Sequence, residues 1–249
     1  MEGSATMTTT FVLIPGADGR AWTWQRLVPR LRALGHAAVA VDYPADPRAG
    51  LAAHAVAAVA ALRASASPGP GRVVVVGLSL GGFVAPLVCE RVPVDLLVLL
   101  NAMVPAPGES VDAWWGAVGH GAARATAAAE AGRVATGGDA FDLRDEFFHD
   151  VPDEITDEAL AGPPPAGPSA VMCAQPWPLA GWPDVPTRFL QGSDDRFFPP
   201  SFQRRVVRDR LGPGVEVDEL PGGHLLPLSQ PDLLAGRLDA YLRALTPAG

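Results

Sequence analysis

Arg72-Val73-Val74-Val75-Val76-Gly77-Leu78-Ser79-Leu80-Gly81-Gly82-Phe83 decides the fold. Its valine run has the composition of a strand buried on both faces, and Gly82 to Arg91 reads as a helix, so Ser79 falls on the turn between them. A G-x-S-x-G sequence in that position has the form of a nucleophile elbow, with a serine hydroxyl exposed at the tip of a tight, strained turn. Side chains at Gly77 and Gly81 would collide with strand or helix. The pentapeptide alone is an ordinary Gly-rich turn; the strand before it and the helix after it point to a nucleophile.

Working outward, Phe11 to Ile14 closes on Pro15-Gly16, and Ala37 to Val41 closes on Asp42-Tyr43-Pro44. Leu27, Leu31 and Leu34 lie at helical spacing between these two apolar runs, which makes one βαβ unit. An alanine-rich helix (Leu51 to Arg63), the turn Pro68-Gly69-Pro70-Gly71, the elbow and a buried strand (Val94 to Leu100) continue the alternation. Strands alternating with helices predict an α/β domain: a mostly parallel sheet with helices on both faces. The rhythm breaks over residues 105–186, where tryptophans cluster and no strand is evident, and this stretch reads as a helical lid insertion. It resumes with a strand (Thr187 to Leu190), a helix (Pro200 to Leu211), a strand (Val215 to Leu220) and a helix (Leu233 to Leu245). The expected domains are therefore a core of 1–104 and 187–249 and a lid of 105–186. From Asp139 to Glu158 nine acidic residues stand against one arginine; a solvated helix face is the expectation, a cation-attracting lid the alternative.

At 249 residues and 48% hydrophobic composition, one large soluble domain is the natural reading. A net charge of −8 without a basic stripe gives nucleic acid no footing. All 19 basic residues are arginine, which excludes a lysine Schiff base, a P-loop lysine and pyridoxal-phosphate attachment. Cys89 and Cys173 do not suggest a disulfide framework, zinc is unsupported and no cofactor is called for. Met1 to Thr10 lacks the pattern of a secretory signal, and no run approaches membrane-spanning length. The expectation is a cytoplasmic protein with no membrane partner; its oligomeric state is open, a homodimer included.

A serine hydroxyl needs a neighbouring base, normally a histidine oriented by a carboxylate. His36, His54, His120 and His149 read as structural or solvent-facing. His224, in Pro221-Gly222-Gly223-His224 after the last strand, lies on a loop at the sheet edge that carries Ser79. The carboxylate is expected on Gln191-Gly192-Ser193-Asp194-Asp195-Arg196, between serine and histidine in chain order. Asp195 is favoured, and Asp194, able to bond turn amides, stays open. The end of the strand before the insertion carries Asn101, which cannot be the charged partner. Oxyanion donors are expected from the backbone N–H groups of Leu80 and of Ala17, the latter on a loop that Gly16 allows to turn. Trp114, Trp115, Phe147, Phe148 and Trp177 either line an apolar pocket or form the insertion's own core.

With these features in this order, the chain resembles the α/β-hydrolase superfamily from about Thr10 to Leu245. Leu13-Ile14-Pro15-Gly16-Ala17-Asp18-Gly19-Arg20-Ala21-Trp22-Thr23-Trp24 further resembles the small plant-type esterases and hydroxynitrile lyases and their bacterial relatives. The resemblance implies Ser79 as nucleophile, Asp195 as acid, His224 as base, Ala17 and Leu80 as oxyanion donors, and a lid over the pocket; Gly16, Trp114, Phe148 and Trp177 are the expected substrate contacts. Pro15 stands where the family commonly carries histidine, so the hydrogen bonds of that side chain are missing. The expected function is a cofactor-independent carboxylesterase on a small ester, with thioesterase, C–C hydrolase, hydroxynitrile-type lyase or slow-turnover binding protein as alternatives. Such lyases tend to use a lysine from the lid, and this chain has none.

Overall fold

The computed structural model describes residues 9–65, 71–138, 141–162 and 167–245. Most of the amino-terminal segment, Pro68 to Pro70 of the expected turn and 163–166 of the proline cluster lie outside the described residues.

Six strands form one sheet in the order β2-β1-β3-β4-β5-β6, and every pairing is parallel. They are β1 (Thr9–Ile14), β2 (Ala37–Ala40), β3 (Arg72–Leu78), β4 (Leu96–Leu100), β5 (Thr187–Gly192) and β6 (Val217–Leu220). Side chains alternate across the pleat: Val12, Ile14, Val75, Leu97 and Leu99 pack under α2 (Leu51–Ala64), α3 (Gly81–Cys89) and α9 (Pro200–Leu211). Phe11, Leu13, Val74, Val76, Val98 and Leu100 face the opposite layer, with α1 (Leu27–Ala33) and α11 (Pro231–Ala244). Both faces are covered, which is why the central runs Phe11–Ile14, Val73–Val76 and Leu96–Leu100 are continuously apolar. Each such fully buried side chain contributes about 1.5–3 kcal/mol of transfer free energy.

The chain runs outward from β1 in both directions, to β2 on one side and β3 on the other. The crevice beyond the carboxyl ends of β1 and β3 is the place where doubly wound sheets take ligands. Gly16 follows β1 and Ser79 follows β3, so both open into it.

Between β4 and β5 the described residues form helices only: α4 (Val111–Ala117), α5 (His120–Glu130), α6 (Leu143–Phe147), α7 (Asp153–Ala161) and α8 (Ala170–Ala174). The acidic stretch in this segment is not one solvated helix face. Asp142 caps α6, Glu146 is buried in a bidentate pair with Arg124, and Asp145 pairs with Arg196. Asp150 accepts the Gly223 N–H at 2.6 Å, and Glu158 accepts the Trp22 indole N–H at 2.8 Å. A run of like charge in sequence is thus spread over caps and ion pairs. A short helix, α10 (Leu226–Ser229), also precedes the last one. Both cysteines are free; burial pushes the Cys89 thiol up to about 12.

Candidate active site

Ser79 takes φ = 52°, left-handed backbone that an L-residue adopts only at a cost of about 1–3 kcal/mol. Neighbouring elements over-determine it: its N–H donates to Leu100 O at 3.1 Å, and its carbonyl accepts from Gly82 N at 3.0 Å and Met103 N at 2.9 Å. A Cβ on Gly77 would stand 2.8 Å from Gly81 O and from Ala85 Cβ, so the turn closes only with glycine there. Gly82 is tighter still, since a Cβ there would lie 1.9 Å from Met103 O. That contact cannot relax without moving β4's exit loop, so Gly82→Ala is expected to cost about 3 kcal/mol or more, measured as a shift of the urea midpoint.

The loop after β5 brings Asp195 under His224. Asp195 is 3% exposed; its Oδ1 accepts the Phe197 and Phe198 N–H groups at 2.9 and 2.8 Å, and its Oδ2 lies 2.8 Å from His224 Nδ1. Asp194 instead turns to backbone, accepting from Gly222 N at 3.3 Å and from the Ser193 hydroxyl at 3.2 Å. With Nδ1–H directed at the carboxylate, His224 presents Nε2 as its acceptor. That atom is buried and makes no hydrogen bond among the described residues. The rings of Phe147, Phe198 and Phe197 surround the imidazole at 5.0, 5.3 and 5.7 Å between centroids.

Ser79 and His224 border one cavity of about 250 Å³, together with Gly16, Ala17, Leu78, Phe147 and Phe148. A Ser79–His224 hydrogen bond is not formed among the described residues; such bonds often tighten only when substrate is present. A Cβ on Gly16 would stand 3.2 Å from Ser79 Cβ, so the first-strand loop passes directly over the serine. Neither the Ala17 N–H nor the Leu80 N–H finds a backbone acceptor among the described residues. Trp22, Leu143, Ala159, Leu160, Leu225 and Leu228 complete an apolar wall.

Two expected contacts are elsewhere. Trp114 and Trp177 are fully buried in the core, their indole N–H groups donating to Val104 O at 3.0 Å and Phe83 O at 3.1 Å. A buried indole needs that acceptor, and the acceptors lie beneath the helical segment, away from the cavity. Phe148 does line it. No group of three or more metal-ligating side chains occurs among the described residues, and no helix there is long and apolar enough to cross a membrane.

Asn101 is the residue that sequence reasoning passed over. Fully buried at φ = 43°, it donates through Nδ2 to His224 O at 2.7 Å and Gly223 O at 3.3 Å, and accepts the Gly192 N–H at 2.8 Å. The loops carrying Asp195 and His224 are thereby joined through one amide. The signal was its position at the end of β4, weighed only for charge. His120 is likewise internal: it meets Phe197 O at 2.7 Å, and burial lowers its pKa.

A model of the alpha/beta hydrolase family matches residues 11–237. The probable esterase PIR7A of Oryza sativa subsp. indica is 40% identical over 107 residues, 40% of this chain and 41% of that protein. Polyneuridine aldehyde esterase of Rauvolfia serpentina is 31% identical over 112 residues, 41% of each. The match thus spans about two fifths of the length of these curated relatives. Among solved structures, a pyrethroid hydrolase from Sphingobium faniae JZ-2 superposes with TM-score 0.72 at 27% identity, covering 98% of this chain and 99% of that one. A structure of polyneuridine aldehyde esterase superposes with TM-score 0.73 at 22% identity, covering 95% and 100%. The parallel sheet, the serine turn after β3 and a family match over most of the sequence lead to one conclusion: the chain belongs to the alpha/beta hydrolase family.

Proposed function

We propose that the protein is a cofactor-independent serine hydrolase, a carboxylesterase acting on a small ester with an apolar or aromatic part. The observation that carries this reading is the buried Asp195–His224 pair, whose unpaired Nε2 borders the same cavity as the strained Ser79. In this reaction Ser79 Oγ bonds to the ester carbonyl carbon while its proton passes to His224 Nε2. The carbonyl oxygen takes the negative charge and accepts the N–H groups of Ala17 and Leu80. As the carbonyl reforms, the ester C–O bond breaks and the alcohol leaves with the proton from Nε2. Water then gives a proton to Nε2, attacks the acyl-enzyme and releases the acid, and Ser79 recovers its proton. Residues 105–186 act as the lid, with α6 and α7 supplying the apolar wall against which the substrate desolvates. The esterase and hydrolase names of the relatives support the same reading.

The test is steady-state turnover of p-nitrophenyl acetate and butyrate, with fluorophosphonate labelling and peptide mapping. Multiple turnover and a label on the Ser79 peptide are expected. A burst that ends in a long-lived adduct would favour a binding protein, and no turnover and no label would overturn the proposal.

A further inference from the structure

The Ala17 amide lies in the loop Pro15-Gly16-Ala17-Asp18-Gly19, and Tyr43, from the chain just beyond β2, holds that loop at both ends. The Tyr43 hydroxyl donates to Pro15 O at 3.0 Å, and the Tyr43 backbone N–H donates to Gly19 O at 2.8 Å. Within the loop, Gly19 N–H donates to Gly16 O at 3.2 Å. Three of the five loop carbonyls are thus fixed, two of them by Tyr43. Gly19, at φ = 68°, rests on the Tyr43 ring, where a Cβ would come within 3.3 Å.

Tyr43 is itself seated firmly. Its ring meets His54 edge-on at 4.3 Å, and His54 Nδ1 bonds Gly50 O at 2.7 Å. Burial, helped by the nearby Asp18 charge, pushes the Tyr43 phenol well above its usual range, so the hydroxyl remains a donor throughout the working pH range.

We propose that Tyr43 is a positioning residue for the oxyanion loop: by holding the Pro15 and Gly19 carbonyls on either side, it limits how the intervening Gly16–Ala17 peptide, which carries the Ala17 N–H, can turn. The inference rests on the serine hydrolase reading above. A side chain that merely satisfied its own hydroxyl in the core would be indifferent to charge on the substrate oxygen. A positioning residue would matter most when that charge develops. Loss of an oxyanion donor costs about 10²–10³ in kcat, and a donor left in place but loosened is expected to cost about tenfold.

Tyr43→Phe removes the hydroxyl and keeps the ring. We expect kcat to fall about tenfold with KM unchanged. A trifluoromethyl ketone bonds to Ser79 Oγ through its carbonyl carbon, giving an oxyanion while the proton moves to His224 Nε2. Its Ki should rise by the same factor as kcat falls, while the matching methyl ketone binds the variant as it binds the wild type. Hydrogen exchange in the peptide spanning residues 11–24 should accelerate, with the remaining sheet unchanged. Equal loss for both ketones, no loss for either, or unaltered exchange in that peptide would overturn the assignment. If the wild type takes up neither the fluoroketone nor a fluorophosphonate, the hydrolase reading fails instead, and the exchange data still decide whether Tyr43 braces the loop.

Discussion

Ser79→Ala is expected to lower kcat for p-nitrophenyl butyrate by on the order of 10⁶, the loss seen when a serine hydrolase is deprived of its nucleophile. Among the described residues, the one other hydroxyl in the wall of the cavity is that of Thr23, which is engaged as a donor to Asp18 at 2.5 Å. The substitution removes one oxygen from a turn held by backbone contacts to Leu100, Gly82 and Met103, so the fold should survive. The measurement is therefore a kinetic one on a protein of unchanged thermal midpoint. Residual turnover near the wild-type rate would remove Ser79 from the reaction.

The second large effect separates two adjacent carboxylates. Asp195→Asn is expected to reduce kcat by about 10⁴. The Phe197 and Phe198 N–H groups both donate to Oδ1, so in the variant they hold the amide oxygen, and the NH₂ group falls opposite His224 Nδ1. Two donors then face each other unless the imidazole moves its proton to Nε2, the nitrogen that must accept from Ser79. Asp194→Asn changes a side chain that contacts Gly222 N and Ser193, and should leave kcat within about threefold, as substitutions outside such networks do. Equal losses in the two variants would show that the pairing seen at Asp195 does not orient the base.

The strands and the elbow were legible because a sheet covered on both faces leaves valine and leucine no polar alternation to hide in, and because only glycine fits at positions 77 and 81. Asp195 could be favoured over Asp194 from the sequence, but the two amides that fix its Oδ1 come from folded loop geometry. Trp114 and Trp177 show where sequence reading stops. An indole's composition is the same whether it faces a substrate or a buried carbonyl, and only the three-dimensional position of Val104 O and Phe83 O decides. Asn101 and Tyr43 escaped for a related reason: their partners are backbone atoms 20 or more residues away, which carry no signature in the sequence.

The Arg124–Glu146 pair inside the helical segment belongs to a chain whose cationic side chains are, apart from histidine, all guanidinium groups. Guanidinium keeps its proton in water at any pH a protein survives. In strongly alkaline solution, where amine-bearing proteins shed their positive charge, the arginine–carboxylate clasps of this molecule keep their attraction. What ends its tolerance of base should be phenol ionisation or backbone chemistry, not the quiet neutralisation of its cations.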